Sequence, residues 1–394
     1  PMALSGDNTR NKNNLRRDTF ETNYITGISV VNFEEIAKER IFESINTASL
    51  DSMKELKEAY YQLKNRINRV PYLVDFQKSG VIDAGTIANK YKNYYEFLVK
   101  LKENTTVITQ EESKVLSFIT TEILPGMRKQ EILLLKNLLI KECLTYTEME
   151  ILFENNNLPR DKMTILSVLN TLTLEFYTGT FRTNYEGAEL IVVDQDVIEL
   201  STILKIGKNH LYFMQLLDDL LEAANIHAQE YETQTPLTLY KKYRRRDVLR
   251  LLNWDKMMIE QNIGGYTYKE ESKKFVIFVT LEKGEDFKGA LVAYEDELID
   301  QHTMKYFTKA PRTINSPEVK ILQNYQEWEI YMFMQKSDDE GRDFYYLGQV
   351  EPILNTIKQE EKRIETGKKL SVVKLMLHFK TTIENKLFNY LNKK

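Results

Sequence analysis

Residues 291–316 read LVAYEDELIDQHTMKYFTKAPRTINS, and their reading decides the C-terminal half of the chain. Leu291, Val292 and Ala293 read as a strand that ends in Tyr294 and the acids Glu295, Asp296 and Glu297. Tyr306 follows twelve residues after Tyr294, and Arg312 six after that. Two aromatic faces and a fixed carboxylate are what holds a flat base taken out of a DNA stack. The rings stack on it, and the acid accepts from its exocyclic amine. The plainer reading is a strand end running into a solvated acidic turn, with Tyr306 in a core. Both stay open at this level.

The order and spacing resemble the pocket of SRA domains, which read 5-methylcytosine. There G-Y-E-D-D is followed by a second tyrosine at the same interval and then by T-G-S-G-G-R. Here A-Y-E-D-E and Y-F-T-K-A-P-R keep the intervals. The pocket acid becomes Glu297 or its neighbour Asp296, and Lys309, Ala310 and Pro311 replace the glycines. The resemblance implies a base pocket of Tyr294, Asp296, Glu297, Tyr306 and Thr308, with Lys309, Arg312 and Thr313 on the backbone.

Around this stretch, from Thr235-Pro236 on, aromatic and β-branched runs alternate with turns: GGYTYK, KFVIFVTLEK, GALVAYED, EWEIYMFMQK, DFYYLGQV and LSVVKLMLHFK. Six such runs predict one antiparallel barrel-like sheet with flanking helices. Asp338 to Gly341 is a turn, and TTIENKLFNYL a closing helix. At the domain's opening, Lys241, Lys242, Arg244, Arg245, Arg246 and Arg250 share ten residues with Val248 and Leu249. That pattern predicts a helix with one charged and one buried face, and the cations are candidates for phosphate contacts that position a duplex. Trp254 and Tyr266 are secondary candidates for the base.

The N-terminal half is helical in pattern. Residues 1–50 read as a tail, with one amphipathic helix through Phe33, Ile36, Ala37 and Ile41. Residues 51–142 hold two heptad-like seams, Met53-Leu56-Tyr60-Leu63-Ile67 and Ile87-Tyr91-Tyr94-Leu98-Leu101, which predict an antiparallel hairpin. Helices over 111–123 and 128–142 follow. Residues 143–235 read as two helices, a hairpin around Asn184 to Gly187, and more helix, the outline of a winged-helix-like module. Its second helix offers Asp161, Lys162 and Glu175 with no basic face, which favours a scaffold role over DNA contact. The whole predicts an α+β multidomain chain: an N-terminal α-helical region with a winged-helix-like module, then a C-terminal SRA-like β-barrel over 236–394.

Composition narrows the function classes. The 394 residues are 42% hydrophobic and 28% charged, with a net charge of −4, so DNA contact has to come from local patches. No apolar run approaches the ~20 residues of a membrane span. A single Cys143 and four scattered histidines do not make a zinc cage, and a reducing, bacterial cytoplasm fits. The start, PMALSGDNTR, lacks a signal-peptide core and an initiator methionine, which reads as a piece of a longer protein. No phosphate-binding loop is present, because Gly207-Lys208 and Gly367-Lys368 lack the upstream glycine and the hydroxyl residue. His378-Phe379-Lys380 has Asn385 where a phospholipase-D nuclease needs an aspartate, and His378 is expected in the core. No catalytic residue is assigned.

The longer pattern P-L-T-L-Y-x-K-Y-x-R-x-D-V-L-R-L-L-N-W, with G-G-Y, A-Y-E-D-E, R-T-I-N-S-P-E-V and S-D-D-E-G-R-D-F-Y-Y-L-G, resembles SauUSI-like type IV restriction endonucleases. The resemblance is tight over about 235–394 and looser before it. It implies an ATP-dependent enzyme cutting DNA with modified cytosine, whose nuclease and helicase domains lie upstream in the same polypeptide. ATP and Mg would serve those domains, with no cofactor here. A scaffold for protein assembly, without base recognition, is the rival.

Overall fold

The computed structural model describes residues 53–79, 82–103, 106–282, 296–363 and 369–392. The expected helix near Phe33 to Ile41, the strand Leu291 to Ala293, Tyr294 and Glu295 lie outside the described residues.

The first seam is helix α1, Met53–Ile67, which buries Leu56, Ala59, Tyr60 and Leu63. The second is not the arm of a hairpin. After α2 (Leu73–Ser79), it is divided into α3 (Ala84–Lys90) and α4 (Tyr94–Leu101). Lys92 sits at φ 72, and the Asn93 side chain accepts from the Glu96 N–H at 2.9 Å, capping a new helix where the apolar spacing runs on. Helices α5 (Gln110–Glu122) and α6 (Lys129–Lys141) follow, the first opened by a capping box of Thr109 and Glu112.

Next come β1 (Cys143–Thr145), α7 (Tyr146–Asn155), α8 (Lys162–Leu172), α9 (Gly179–Tyr185) and the hairpin β2 (Ile191–Asp194) and β3 (Val197–Leu200). The three strands form one sheet in the order β1-β3-β2. The hairpin turns at Gln195, φ 50, ten residues beyond the expected place, where α9 stands instead. Helices α10 (Thr202–Gly207) and α11 (Leu211–His227) complete this half. On α11, Asp219 accepts from the N–H groups of Leu73 (2.7 Å) and Val74 (3.1 Å), which docks α2 on α11, while Phe76 of α2 stacks on Tyr60 of α1.

The C-terminal half holds β4 (Lys242–Arg244), α12 (Arg245–Leu251), α13 (Glu260–Ile263), β5 (Tyr266–Lys269), β6 (Lys274–Glu282), β7 (Glu297–Asp300) and β8 (Thr303–Phe307). Then follow α14 (Pro317–Gln323), β9 (Glu329–Ser337), β10 (Asp343–Arg363), β11 (Lys369–Phe379) and α15 (Asn385–Asn392). The eight strands run β5-β6-β9-β10-β11-β8-β7, with β4 on β10. The expected antiparallel barrel is corrected on two counts: the described strands form an open path, and β6 pairs β9 in parallel. The connection between those two strands carries β7, β8 and α14, which is long enough to return the chain in the same direction.

Both sheet faces are buried, which is why KFVIFV and IYMFM are continuous rather than alternating. Val276, Phe278, Tyr331, Phe333, Phe344 and Tyr346 face the helical half and join its core. Phe275, Ile277, Ile330, Met332, Tyr345 and Leu347 face the other way, onto Leu322 of α14 and Leu387 and Leu391 of α15. Among the described residues no helix is long and apolar enough to cross a membrane.

Candidate functional site: the β8 corner

Strand β8 sets the geometry, because successive side chains in a strand point to opposite faces. Met304 and Tyr306 enter the inner core, and Tyr306 is only 3% exposed. Phe307 points the other way and forms a small separate cluster with Val372, Ala310 and Leu370. Tyr306, expected as a stacking face, is therefore a core residue in this structure, and its neighbour Phe307, 5% exposed, is buried on the opposite sheet face. The β-alternation through Met304 and Tyr306 was the signal that could have found it.

Two acids meet this corner. Asp296 Oδ1 accepts from the Phe307 N–H at 2.9 Å, which fixes a carboxylate beside that ring. Glu297 is exposed and pairs with Lys305 at 2.6 Å, its cross-strand partner. Lys362 Nζ lies 4.0 Å from the Phe307 ring centroid and Lys374 Nζ 5.9 Å, both within cation–π range. Sequence reading missed Phe307, Lys362 and Lys374.

Beyond β8, Thr308 is buried and donates its N–H to the Val373 carbonyl (2.9 Å), while its hydroxyl accepts from the Val373 N–H (3.0 Å). The Arg312 N–H bonds the Ser371 carbonyl at 2.9 Å, and the Ile314 N–H the Gln359 side chain at 3.1 Å. The Thr313 N–H bonds Ser316 Oγ at 3.0 Å. Thus residues 308–312 run beside β11 as an irregular segment, and Ile314 reaches Gln359 of β10.

Arg312 also donates to Glu318 and to the Tyr266 hydroxyl (3.2 Å), which itself donates to Glu318 at 2.5 Å. Burial works against the Glu318 carboxylate, yet these bonds hold its pKa below the ordinary range. Burial and the bond to Glu318 raise that of Tyr266. Lys309 donates to the carbonyls of Ile263 (2.8 Å) and Tyr266 (3.1 Å), and burial lowers its pKa. Tyr266 is 6% exposed and Trp254 equally so, so each is a core residue here rather than a surface contact.

The cations of 241–250 lie elsewhere. They do not form one amphipathic helix; Lys242 to Arg244 is strand β4, and α12 is packed against the helical half. Arg246 reaches Glu122 of α5 at 2.8 Å, and Arg250 reaches Glu131 of α6 at 2.6 Å. Arg244 pairs with Asp247 at 2.6 Å and donates to the Thr121 carbonyl at 3.1 Å. Arg245 lies over Phe344 at 4.4 Å. Lys241 pairs with Glu230, and Lys242 with Glu340 at 3.8 Å. Arg244 to Arg250 thus stitch the two halves together, and the expected solvent-facing charged side is not there. His378, expected in the core, is exposed and stacks on His302 at 6.2 Å.

Two family models match, each a domain of unknown function: DUF8090 over residues 56–233 and DUF3427 over residues 237–391. No curated protein matches the chain. Three solved structures show a faint likeness. The DNA modification-dependent restriction endonuclease AspBHI is 15% identical with a TM-score of 0.26, covering 39% of this chain and 80% of that one. The sulfur-binding and SRA domains of ScoMcrA, complexed with phosphorothioated DNA, are 9% identical at 0.25, covering 73% and 96%. The type IV phosphorothioation-dependent restriction endonuclease ScoMcrA is 9% identical at 0.22, covering 90% and 70%. TM-scores this low do not establish a shared fold.

Proposed function

We propose that residues 236–394 recognise double-stranded DNA carrying 5-methylcytosine or 5-hydroxymethylcytosine, as the target-recognition part of an ATP-dependent type IV restriction endonuclease. The observation that carries this reading is the carboxylate of Asp296, held by the Phe307 N–H beside a ring that is 5% exposed and covered by Lys362. These groups fall within the stretch that resembles an SRA pocket. A flipped cytosine would stack on Phe307 by displacing Lys362, with Tyr294 as the second face, and its N4 amine would donate to Asp296. Glu297 is the weaker choice because it is already neutralised by Lys305. Residues 143–235, which open in the order strand, three helices and hairpin (β1, α7, α8, α9, β2–β3), serve in this reading as a winged-helix-like scaffold. It would couple recognition to nuclease and helicase domains upstream in the same polypeptide, where ATP and Mg would act.

The test is a gel shift without ATP on methylated and unmodified duplexes. Wild type is expected to prefer the methylated one, and Asp296→Asn and Phe307→Ala to lose the preference while keeping salt-sensitive binding. Equal wild-type affinity for both duplexes removes the reading.

One observation favours the rival, an assembly scaffold. An open groove of about 850 Å³ lies between α8 and the β2–β3 hairpin, lined by Leu166, Leu169, Ile191, Val192, Val193 and Ile206. Apolar walls of this kind suit a protein partner better than a phosphate backbone.

A further inference from the structure

Past the β8 corner, β10 and β11 run on as an arm, bordered along β11 by residues 308–312. β9 pairs β10 only from Tyr345 to Gln349, and β8 pairs β11 only as far as Lys374. The strands continue, paired with each other, to Arg363 and Lys369. A register shift between Ile353 and Lys358 sets off the arm from the sheet, as bulges do where a strand is re-aimed. Thr356 pins that shift, donating to the Ile353 carbonyl (2.6 Å) and accepting from the Met376 N–H (2.8 Å).

The charges on the arm break a rule of strand pairing. Lys358 stands directly opposite Lys374. Like charges in register destabilise a ladder. Glu360 approaches Lys374 at 3.7 Å and Glu361 approaches Lys369 at 2.8 Å, which offsets part of the repulsion. Over 358–363 and 369–374 the count is still five cations (Lys358, Lys362, Arg363, Lys369, Lys374) against two acids (Glu360, Glu361), in a chain of net charge −4. A local cost kept at the root of an arm, with an excess of cations along it, points to a partner that relieves it.

We infer that this arm is the element that contacts the phosphates of duplex DNA, in place of the buried cations of 241–250. The inference rests on the reading that the chain binds DNA. Six paired residues reach about 17 Å, half of one duplex turn of about 34 Å, and a two-stranded ribbon fits the major groove. The arm is also tied to the candidate base site. Thr308, Arg312 and Ile314 bond Val373, Ser371 and Gln359, and Lys362 and Lys374 lie over Phe307. A duplex held by the arm is therefore held beside Asp296.

The experiment measures the affinity of the whole chain for an unmodified and a methylated 20-base-pair duplex from 50 to 200 mM salt. Lys358→Ser/Lys369→Ser should lower the slope of log K against log salt by about 2, and affinity at 100 mM by roughly 50-fold, on both duplexes alike. Lys358→Arg/Lys369→Arg should keep the wild-type slope, and so should Lys57→Ser/Lys102→Ser in the helical half. An unchanged slope in the serine double variant, with unchanged circular dichroism, overturns the arm. So does an equal loss in the Lys57/Lys102 control, or a loss confined to methylated DNA. If wild type binds neither duplex at 50 mM salt, the DNA-binding reading itself fails, and the arm with it.

Discussion

The chain has two concentrations of positive charge, and they have opposite fates. Residues 241–250 are the denser run in the sequence, yet Arg246 and Arg250 are buried against Glu122 and Glu131. Residues 358–374 look like an ordinary mixed-charge strand pair, yet they leave the sheet with Lys358 facing Lys374. The difference teaches that a charge run reports a surface only when no internal carboxylate answers it. Here the answer comes from α5 and α6, more than a hundred residues earlier in the chain.

The largest effect should come from breaking the inward set. Arg250 is 1% exposed, and its removal leaves Glu131 with Arg128 as its remaining cation. Burial raises the energy of that carboxylate while the two arginines pull its pKa below the ordinary range. Arg250→Ala is expected to cost about 3–5 kcal/mol, measured as a fall in the urea midpoint, and to loosen the two halves from each other. A variant of normal stability with a reduced salt slope for DNA would reverse the assignment of the two cation groups.

A second contrast, between adjacent aromatics, is sharper in space. Tyr306 fills the larger core with Met304 and Leu375, whereas Phe307 is buried in a separate four-residue cluster on the opposite sheet face. Tyr306→Ala should cost about 3 kcal/mol or more, as core truncations of aromatics do. Phe307→Ala should cost less and act instead on discrimination between duplexes. If Tyr306→Ala leaves the denaturation midpoint unchanged, the ring is not core and the sequence-level pocket regains its second face.

Much of the fold was legible because strand runs and caps are local. Phe275 to Val279, Ile330 to Met334 and Val372 to Leu377 lie in strands where β-branched and aromatic runs put them. The break between the helices expected over 111–123 and 128–142 was also visible. What depended on distant partners was not: the parallel β6–β9 pair and the burial of Arg246 and Arg250. For the site, the sequence singled out 291–316, and a one-residue shift in a strand reverses every side chain. Alternation puts Met304 and Tyr306 on one face and Phe307 on the other, and the larger core takes the first pair. Lys362 and Lys374 come to Phe307 only through the β10–β11 register.

The smallest expected effect concerns an inward cation whose charge, unlike that of an arginine, can be switched off. His227 caps the end of α11, with Nδ1 2.8 Å from the Leu124 carbonyl and Nε2 2.8 Å from Asp83 Oδ2. Both neighbours are acceptors, so both ring nitrogens must carry protons for both bonds to form. Burial disfavours the imidazolium, but the bond to Asp83, the Asp83 charge, the carbonyl and Glu230 raise its pKa overall. Asp83 is opposed by its own desolvation and lowered by His227 and by the N–H groups of Thr86 and Gly85. A raised histidine pKa gives stability that is complete below the unfolded value, about 6.5, and is lost as pH rises through the higher folded value. The depressed Asp83 adds stability above its unfolded value and loses it as pH falls through the folded one. Asp83 is half exposed, so solvent screens the pair and the effect should stay under about 1 kcal/mol. Urea unfolding between pH 6 and 9 should therefore show a mild alkaline decline in wild type that His227→Gln flattens. A decline of equal size in the variant would mean that this inward cation, unlike Arg250, contributes nothing by its charge.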